Sequence, residues 1–192
     1  RYYLTQIAPE TKDSEFTWKG FYDAVNSELV GNFGNFVNRT FVLMHKLCNG
    51  KVPNLHNDIL DDIDKNLLAE FESVKTKVEE ALEEYRFREA LFEVMQLADK
   101  GNKYMQKKEP WIVAKALANA SAEFTPGQQA AQKAIDNCLH VCLQLTANLA
   151  IFINPFLPNT AKKMQNMMKV VDKILDWENA GKTKLLSVGY SL

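Results

Sequence analysis

Apolar residues recur at helical rather than strand spacing along nearly the whole chain. The longest run goes from Trp18 to about Cys48. Thr17 stands where an N-cap belongs, and Asn49-Gly50, with Pro53 beyond, supplies the stop. At about 100° per residue, Leu29, Phe33, Phe36, Met44 and Leu47 fall on one side of this helix. Ser27, Gly31, Asn35, Asn38, Arg39 and Lys46 fall on the other. The run predicts an amphipathic helix with an unusual polar face.

A second helix is predicted from about Asp61 to Tyr85, its acidic start suited to the positive end of a helix dipole. A third, from about Phe87 to Gln106, carries Leu91, Val94, Met95, Ala98 and Met105 at helical spacing. Lys107-Lys108-Glu109-Pro110 ends it, because the residue before a proline is pushed away from helical angles. A short turn over 111–117 and a loop through 119–124 follow. Thr125-Pro126-Gly127-Gln128 reads as a capping box with proline at the first helical position, and it opens a helix to about Ile153. That helix breaks at Asn154-Pro155. A fifth covers roughly 158–169, and a short amphipathic helix over 170–178 leads into a tail at 179–192. No window alternates as a strand, and no internal repeat is present. The expected architecture is an all-α bundle of about five helices in residues 17–178, with 1–16, which carry Pro9, as a connector.

Composition narrows the class. With 192 residues, 46% hydrophobic and 24% charged, the chain has the proportions of a globular domain. No run approaches about 18 consecutive apolar residues, so no membrane partner is expected. Three cysteines is an odd, sparse count that fits a reducing compartment, the cytoplasm, better than a secreted disulfide framework. The first residue is Arg1, so the expectation is a piece of a longer protein.

Net charge is −1, from 23 basic and 24 acidic residues, and leaves no overall footprint for nucleic acid. The charge is segregated, though. Residues 58–93 hold 12 acidic and 5 basic residues, a local −7; residues 99–115 hold 5 Lys against Asp99 and Glu109, a local +3. Residues 159–185 hold 6 Lys against 3 acids, again +3. Either this is an ordinary solvated surface, or one side faces a polyanion and the other is acidic.

Enzyme chemistry is hard to find. Carboxylate-bridged metal bundles need Glu-x-x-His pairs, and the residues three before His45, His56 and His140 are Val42, Pro53 and Asn137. Cys138 and Cys142 share a helix face and could hold half a metal site, but read better as small core residues. The Gly31–Gly34 stretch follows no strand and is no phosphate loop. No catalytic, metal or cofactor residue is expected here.

A binding surface remains. Gly31, Asn35 and Arg39 form one stripe along the first long helix. A mid-helix glycine costs about 1 kcal/mol against alanine; close helix packing accounts for Gly34, and approach of a ligand competes to account for Gly31. Asn35 and Arg39 are donors of the type that read base edges, or else part of a solvated face. Trp111, after Pro110 and among Lys107, Lys108 and Lys115, is either a core plug or a platform for an unpaired base. The lysines of 159–185 could follow a phosphate backbone.

"RYYL" at 1–4, "ELVGNFGNFVNRT" at 28–40, "ALFEVMQLADKGNKYMQKKEPWIVAK" at 90–115 and "NPFLPNTAKKM" at 154–164 together resemble the C-terminal anticodon-binding domain of bacterial methionyl-tRNA synthetase, a class I aminoacyl-tRNA synthetase. The resemblance implies that the bundle reads the CAU anticodon. Trp111 would stack on the first anticodon base, the cytosine. Asn35 and Arg39 would hydrogen-bond that base and its neighbours, with Pro110 shaping the loop and Lys115 beside it. Where the family often has a further asparagine, one turn before Asn35, this chain has Gly31, with Asn32 next to it. The resemblance also implies a cytoplasmic, ATP-dependent methionine–tRNA ligase as parent. Its catalytic domain, with ATP and Mg and structural Zn as an option, would lie before Arg1. The implied partners are methionine tRNA and that catalytic domain, with no DNA. The rival expectation is a protein-interaction bundle without RNA binding, marked by an apolar patch around Asn35. A metal-dependent helical enzyme is a distant third.

Overall fold

The computed structural model describes residues 1–10, 13–119, 125–170 and 175–192. Helix α1 (Tyr2–Gln6) sends Tyr2 and Tyr3 into the core. Thr17 then caps α2 (Trp18–Asp23) by accepting from the Gly20 N–H, but no residue of α2 is buried. The winding next widens into a π-helical stretch, Ala24–Gly34, and narrows again into α3 (Asn35–Cys48). At the end of the wide stretch the Asn35 N–H reaches back five residues to the Val30 carbonyl. Asn49, in the left-handed conformation at φ 50°, stops α3 where the sequence predicted.

The wide winding changes the account of two glycines. A Cβ at Gly31 would lie 3.0 Å from the Asn26 carbonyl oxygen, and one at Gly34 would lie 3.2 Å from that of Leu29. Both contacts are with the helix's own backbone five residues earlier. Gly34 therefore is not a helix–helix packing glycine, contrary to the sequence expectation.

α4 (Asp62–Glu83) starts from a capping box formed by Asp61 and Asp64 and runs antiparallel to α5 (Phe87–Lys108). The pairs Lys77–Glu93 and Lys100–Glu70 show the direction. This hairpin brings the acidic and basic segments together. Lys100 and Lys108 of the basic segment lie against Glu70, Asp61 and Asp64 of the acidic one, and Lys103 pairs with Asp99. Part of the charge that is segregated along the sequence is thus paired in space.

Residues 110–118 form a nine-residue helix, α6 (Pro110–Ala118), where the sequence suggested only a turn. The loop predicted at 119–124 falls, from 120 onward, outside the described residues. α7 (Pro126–Phe152) opens with the predicted capping box, Thr125 accepting from the Gln128 N–H. It is the axis of the bundle: every residue from Asn137 to Phe152 is buried. By length and composition α7 could cross a membrane, with mean hydropathy 1.2 over an 18-residue window, but 94% of that window is buried inside the fold. Cys138 and Cys142 sit in this core, and burial pushes the Cys142 thiol well above its ordinary range.

Four buried polar residues of α7 hold loops. Gln144 accepts from the N–H groups of Leu185 and Leu186 and donates to the Leu186 carbonyl at 2.7 Å. Asn148 accepts from Gly181 and donates to Lys182, and Asn137 bonds both backbone groups of His56. His140 bonds the Pro53 carbonyl at 2.8 Å. Irregular segments before α4 and near the C-terminus are thus fixed without strands, since side chains satisfy their backbone groups. Among the described residues the β pairing is one isolated antiparallel bridge, Lys51 with Ser191. α8 (Pro158–Met167) packs on α7, and Trp177–Asn179 forms a 3₁₀ turn. Residues 171–174 of the short helix predicted over 170–178 lie outside the described residues, as do Asp172 and Lys173 of the late basic segment.

Candidate nucleic-acid interface

The site starts from a glycine the sequence reading did not single out. A Cβ at Gly101 of α5 would fall 2.7 Å from Leu145 Cδ2 and 2.7 Å from Phe36 Cε2. Only glycine lets α5 approach α3 and α7 this closely. The approach sets Asn102, the next residue, against the junction of the π-helical stretch and α3. Its amide nitrogen donates to the backbone and side-chain oxygens of Asn32, both at 2.9 Å, and its oxygen accepts from Asn35 Nδ2 at 3.1 Å. Asn32, the neighbour of the departing position, is committed in turn to the Met95 carbonyl at 3.2 Å. Asn102 and Asn32 carried no motif; the usable signal was an amide next to a glycine on the polar edge of α5.

Trp111 reaches the same place from another direction. α5 ends at Glu109, whose backbone turns left-handed at φ 44° and ψ 52° while its N–H still bonds the Met105 carbonyl. The proline following keeps this residue away from right-handed helical angles, as the sequence predicts. The left-handed corner lets α6 start at once, with Pro110 buried at the first position, where a missing N–H leaves no bond unmade. Trp111 comes next and is half-buried. The Arg39 guanidinium lies over its ring, 5.0 Å from the centroid. Such a contact contributes about 0.5–1 kcal/mol near solvent.

Of the five candidates, Asn35 and Arg39 therefore lie one turn apart on α3, and Arg39 meets Trp111 directly. Pro110 is a buried corner residue, and Lys115 is exposed one helical turn beyond Trp111. A shallow groove of about 350 Å³ is lined by Asn35 and Arg39 of these, together with Gly31, Asn32, Asp99, Asn102, Lys103 and Gln106. On the other flank of Asn35 a second groove, about 630 Å³, is mostly apolar, with Leu29, Val30, Phe33, Val37, Met164 and Met167 in its walls. The apolar surface that would mark a protein-interaction face is present, but it adjoins the polar groove rather than replacing it.

Comparison with known proteins assigns the chain to a family. Residues 1–41 match the family described as class I tRNA synthetases (M). Residues 55–191 match the anticodon binding domain of methionyl tRNA ligase. Methionine–tRNA ligases of Phocaeicola vulgatus and Porphyromonas gingivalis are each 44% identical over 192 residues, covering 100% of this chain and 26% of their own length. The chain thus spans about a quarter of the curated relatives it matches. Apo methionyl-tRNA synthetase of Mycobacterium tuberculosis shares the fold, with a TM-score of 0.81 at 20% identity over 100% of this chain and 36% of that one. The chain belongs to the family of methionyl-tRNA ligase anticodon-binding domains.

Proposed function

We propose that this domain reads the CAU anticodon of methionine tRNA on behalf of a cytoplasmic, ATP-dependent methionine–tRNA ligase. Catalysis with ATP and Mg would belong to a catalytic domain of the same parent, which residues 1–16 would connect to the bundle. The observation that supports the reading best is the stacked Arg39–Trp111 pair at the edge of an open groove lined with amides. Sequence-specific RNA recognition favours unstacked loop bases that lie on aromatic or guanidinium planes and are read along their edges.

Trp111 offers the platform for the first anticodon base. Arg39, already over that platform, carries a fork of donors with no acceptor. Asn35 gives one amide hydrogen to Asn102 and keeps its carbonyl oxygen and a second N–H. That acceptor–donor pair complements the amino group and ring nitrogen on the pairing edge of cytosine. Pro110 holds the corner, and Lys115 adds charge for a phosphate, which positions RNA without specifying it.

The test is binding of the chain to two anticodon stem-loops at stated, low salt, one with CAU and one with only its first cytosine changed to guanine. A clear preference for CAU supports the proposal. Equal weak binding reduces the surface to charge attraction. A folded chain that binds neither overturns the proposal and turns attention to the apolar groove on the far side of Asn35.

A further inference from the structure

Just below the Trp111 corner lies a buried charge cluster that the anticodon reading does not use. Asp64, on the first turn of α4, is 1% exposed. Its Oδ1 accepts from the Tyr104 hydroxyl at 2.7 Å and lies 2.6 Å from Lys108 Nζ. Its Oδ2 accepts from the Asp61 N–H, closing the α4 capping box. Lys108 also reaches Asp61 Oδ2 at 2.8 Å, and its ammonium lies 5.7 Å from the Tyr104 ring centre. Burial alone would lower the Lys108 pKa, but its hydrogen bonds to Asp61 and Asp64 outweigh that and raise it, so the side chain stays charged.

The position of these groups in the chain matters more than their energy. Tyr104 and Lys108 are one turn apart on the last turns of α5, and Lys108 is the final residue of that helix. The next three residues are left-handed Glu109, buried Pro110 and Trp111. A helix end normally frays, because its last carbonyls lack partners. Here the end is tied through two side chains to the capped start of α4, the best-fixed point of the neighbouring helix. The side chain of Lys108 is only 18% exposed, so it is poorly placed to meet a phosphate itself.

We propose that Asp64 and Lys108 are positioning residues for Trp111: by clamping the last turn of α5 to α4, they fix where the corner at Glu109 delivers the indole, and so hold the stacking plane beneath Arg39. The inference rests on the anticodon reading for its functional consequence but not for its geometry.

The test uses the double variant Asp64→Asn/Lys108→Met, which removes both charges together and leaves neither buried alone. Asn can keep the Asp61 N–H bond with its oxygen and donate its amide N–H to the Tyr104 hydroxyl, which can turn to accept, so circular dichroism should report a folded helical chain. The readout independent of RNA is the ring-current shift that Trp111 imposes on the Arg39 side-chain protons in NMR spectra. The double variant should lose most of that shift and bind the CAU stem-loop about tenfold more weakly, within the range spanned by a lost base–aromatic stack. Lys108→Arg, which keeps the charge and the donors, should retain both. A ring-current shift unchanged in the double variant overturns the proposal, whatever the RNA affinity does. A lost shift in a chain whose parent shows no CAU preference supports the clamp and overturns the anticodon reading instead.

Discussion

Gly101→Ala sets two known effects against each other. In an exposed helix interior the change should stabilise, since glycine is about 0.8–1 kcal/mol less favourable than alanine. At Gly101 the new methyl would stand 2.7 Å from both Leu145 Cδ2 and Phe36 Cε2, with Phe36 Cζ at 2.9 Å. Phe36 and Leu145 are both 0% exposed, so neither ring nor branch has space to withdraw into. Inserting a methyl into a close-packed site costs about 1–3 kcal/mol. Overpacking should win, leaving a net loss of up to about 2 kcal/mol, or a melting temperature lower by up to about 8 °C for a chain of this size. Gly127→Ala is the control, since its Cβ would meet only Thr125 Oγ1 at 3.9 Å. Thermal melts by circular dichroism, with urea titrations of the same samples, give the comparison. If Gly101→Ala melts at or above the parent temperature, the close approach of α5 is not real, and the argument that places Asn102 fails with it.

Trp111→Ala should cost about 1–3 kcal/mol in CAU stem-loop binding and leave the helical circular dichroism signal in place; an unfolded variant would make Trp111 a core plug. Arg39→Ala should relax discrimination at the first anticodon base by about 1–3 kcal/mol, measured as the ratio of CAU to guanine-substituted binding, and an equal loss on both stem-loops would reduce Arg39 to a phosphate contact. Burial holds the pKa of His140 below its ordinary value, so the folded chain keeps it neutral while the unfolded chain takes up a proton below about pH 6.5. Stability should therefore fall as the pH drops through that value, and His140→Gln should flatten the dependence in urea titrations between about pH 5 and 6.5; an identical slope in the variant would assign the loss to other groups.

Most of the helices were legible because their signals are local. Thr17, the Asp61 start, Thr125-Pro126 and Asn49-Gly50 act through neighbours a few residues away, and each marks a real boundary. The π-helical winding was not legible, because nothing in the residue types of Ala24–Gly34 separates it from an ordinary helix, and only backbone hydrogen bonding tells the two apart. The candidate site was half legible. Asn35 and Arg39 share a helix, so spacing alone brings them together, whereas Trp111 meets Arg39 across 72 positions through a left-handed corner that no local rule supplies. Asn102 escaped for a related reason: its partners Asn32 and Asn35 lie about 70 residues away, and the close approach depends on space at Gly101 rather than on any residue pattern. Charge along the sequence decided little, since lysines of the basic segment pair with acids of the acidic one across the α4–α5 hairpin, far apart in sequence.

That pairing sets how the domain should respond to ionic strength. Lysines already held by carboxylates shed few counterions when RNA arrives, and Lys100, Lys103 and Lys108 are all held in this way. If Lys107 and Lys115 are the cations near Trp111 that meet phosphates, the logarithm of affinity should fall against that of salt with a slope of only about −1 to −2. Non-cognate RNA, which binds by charge alone, then gains little residence on this surface. On the proposed reading, selectivity for one anticodon would come as much from weak general attraction as from strength at the groove.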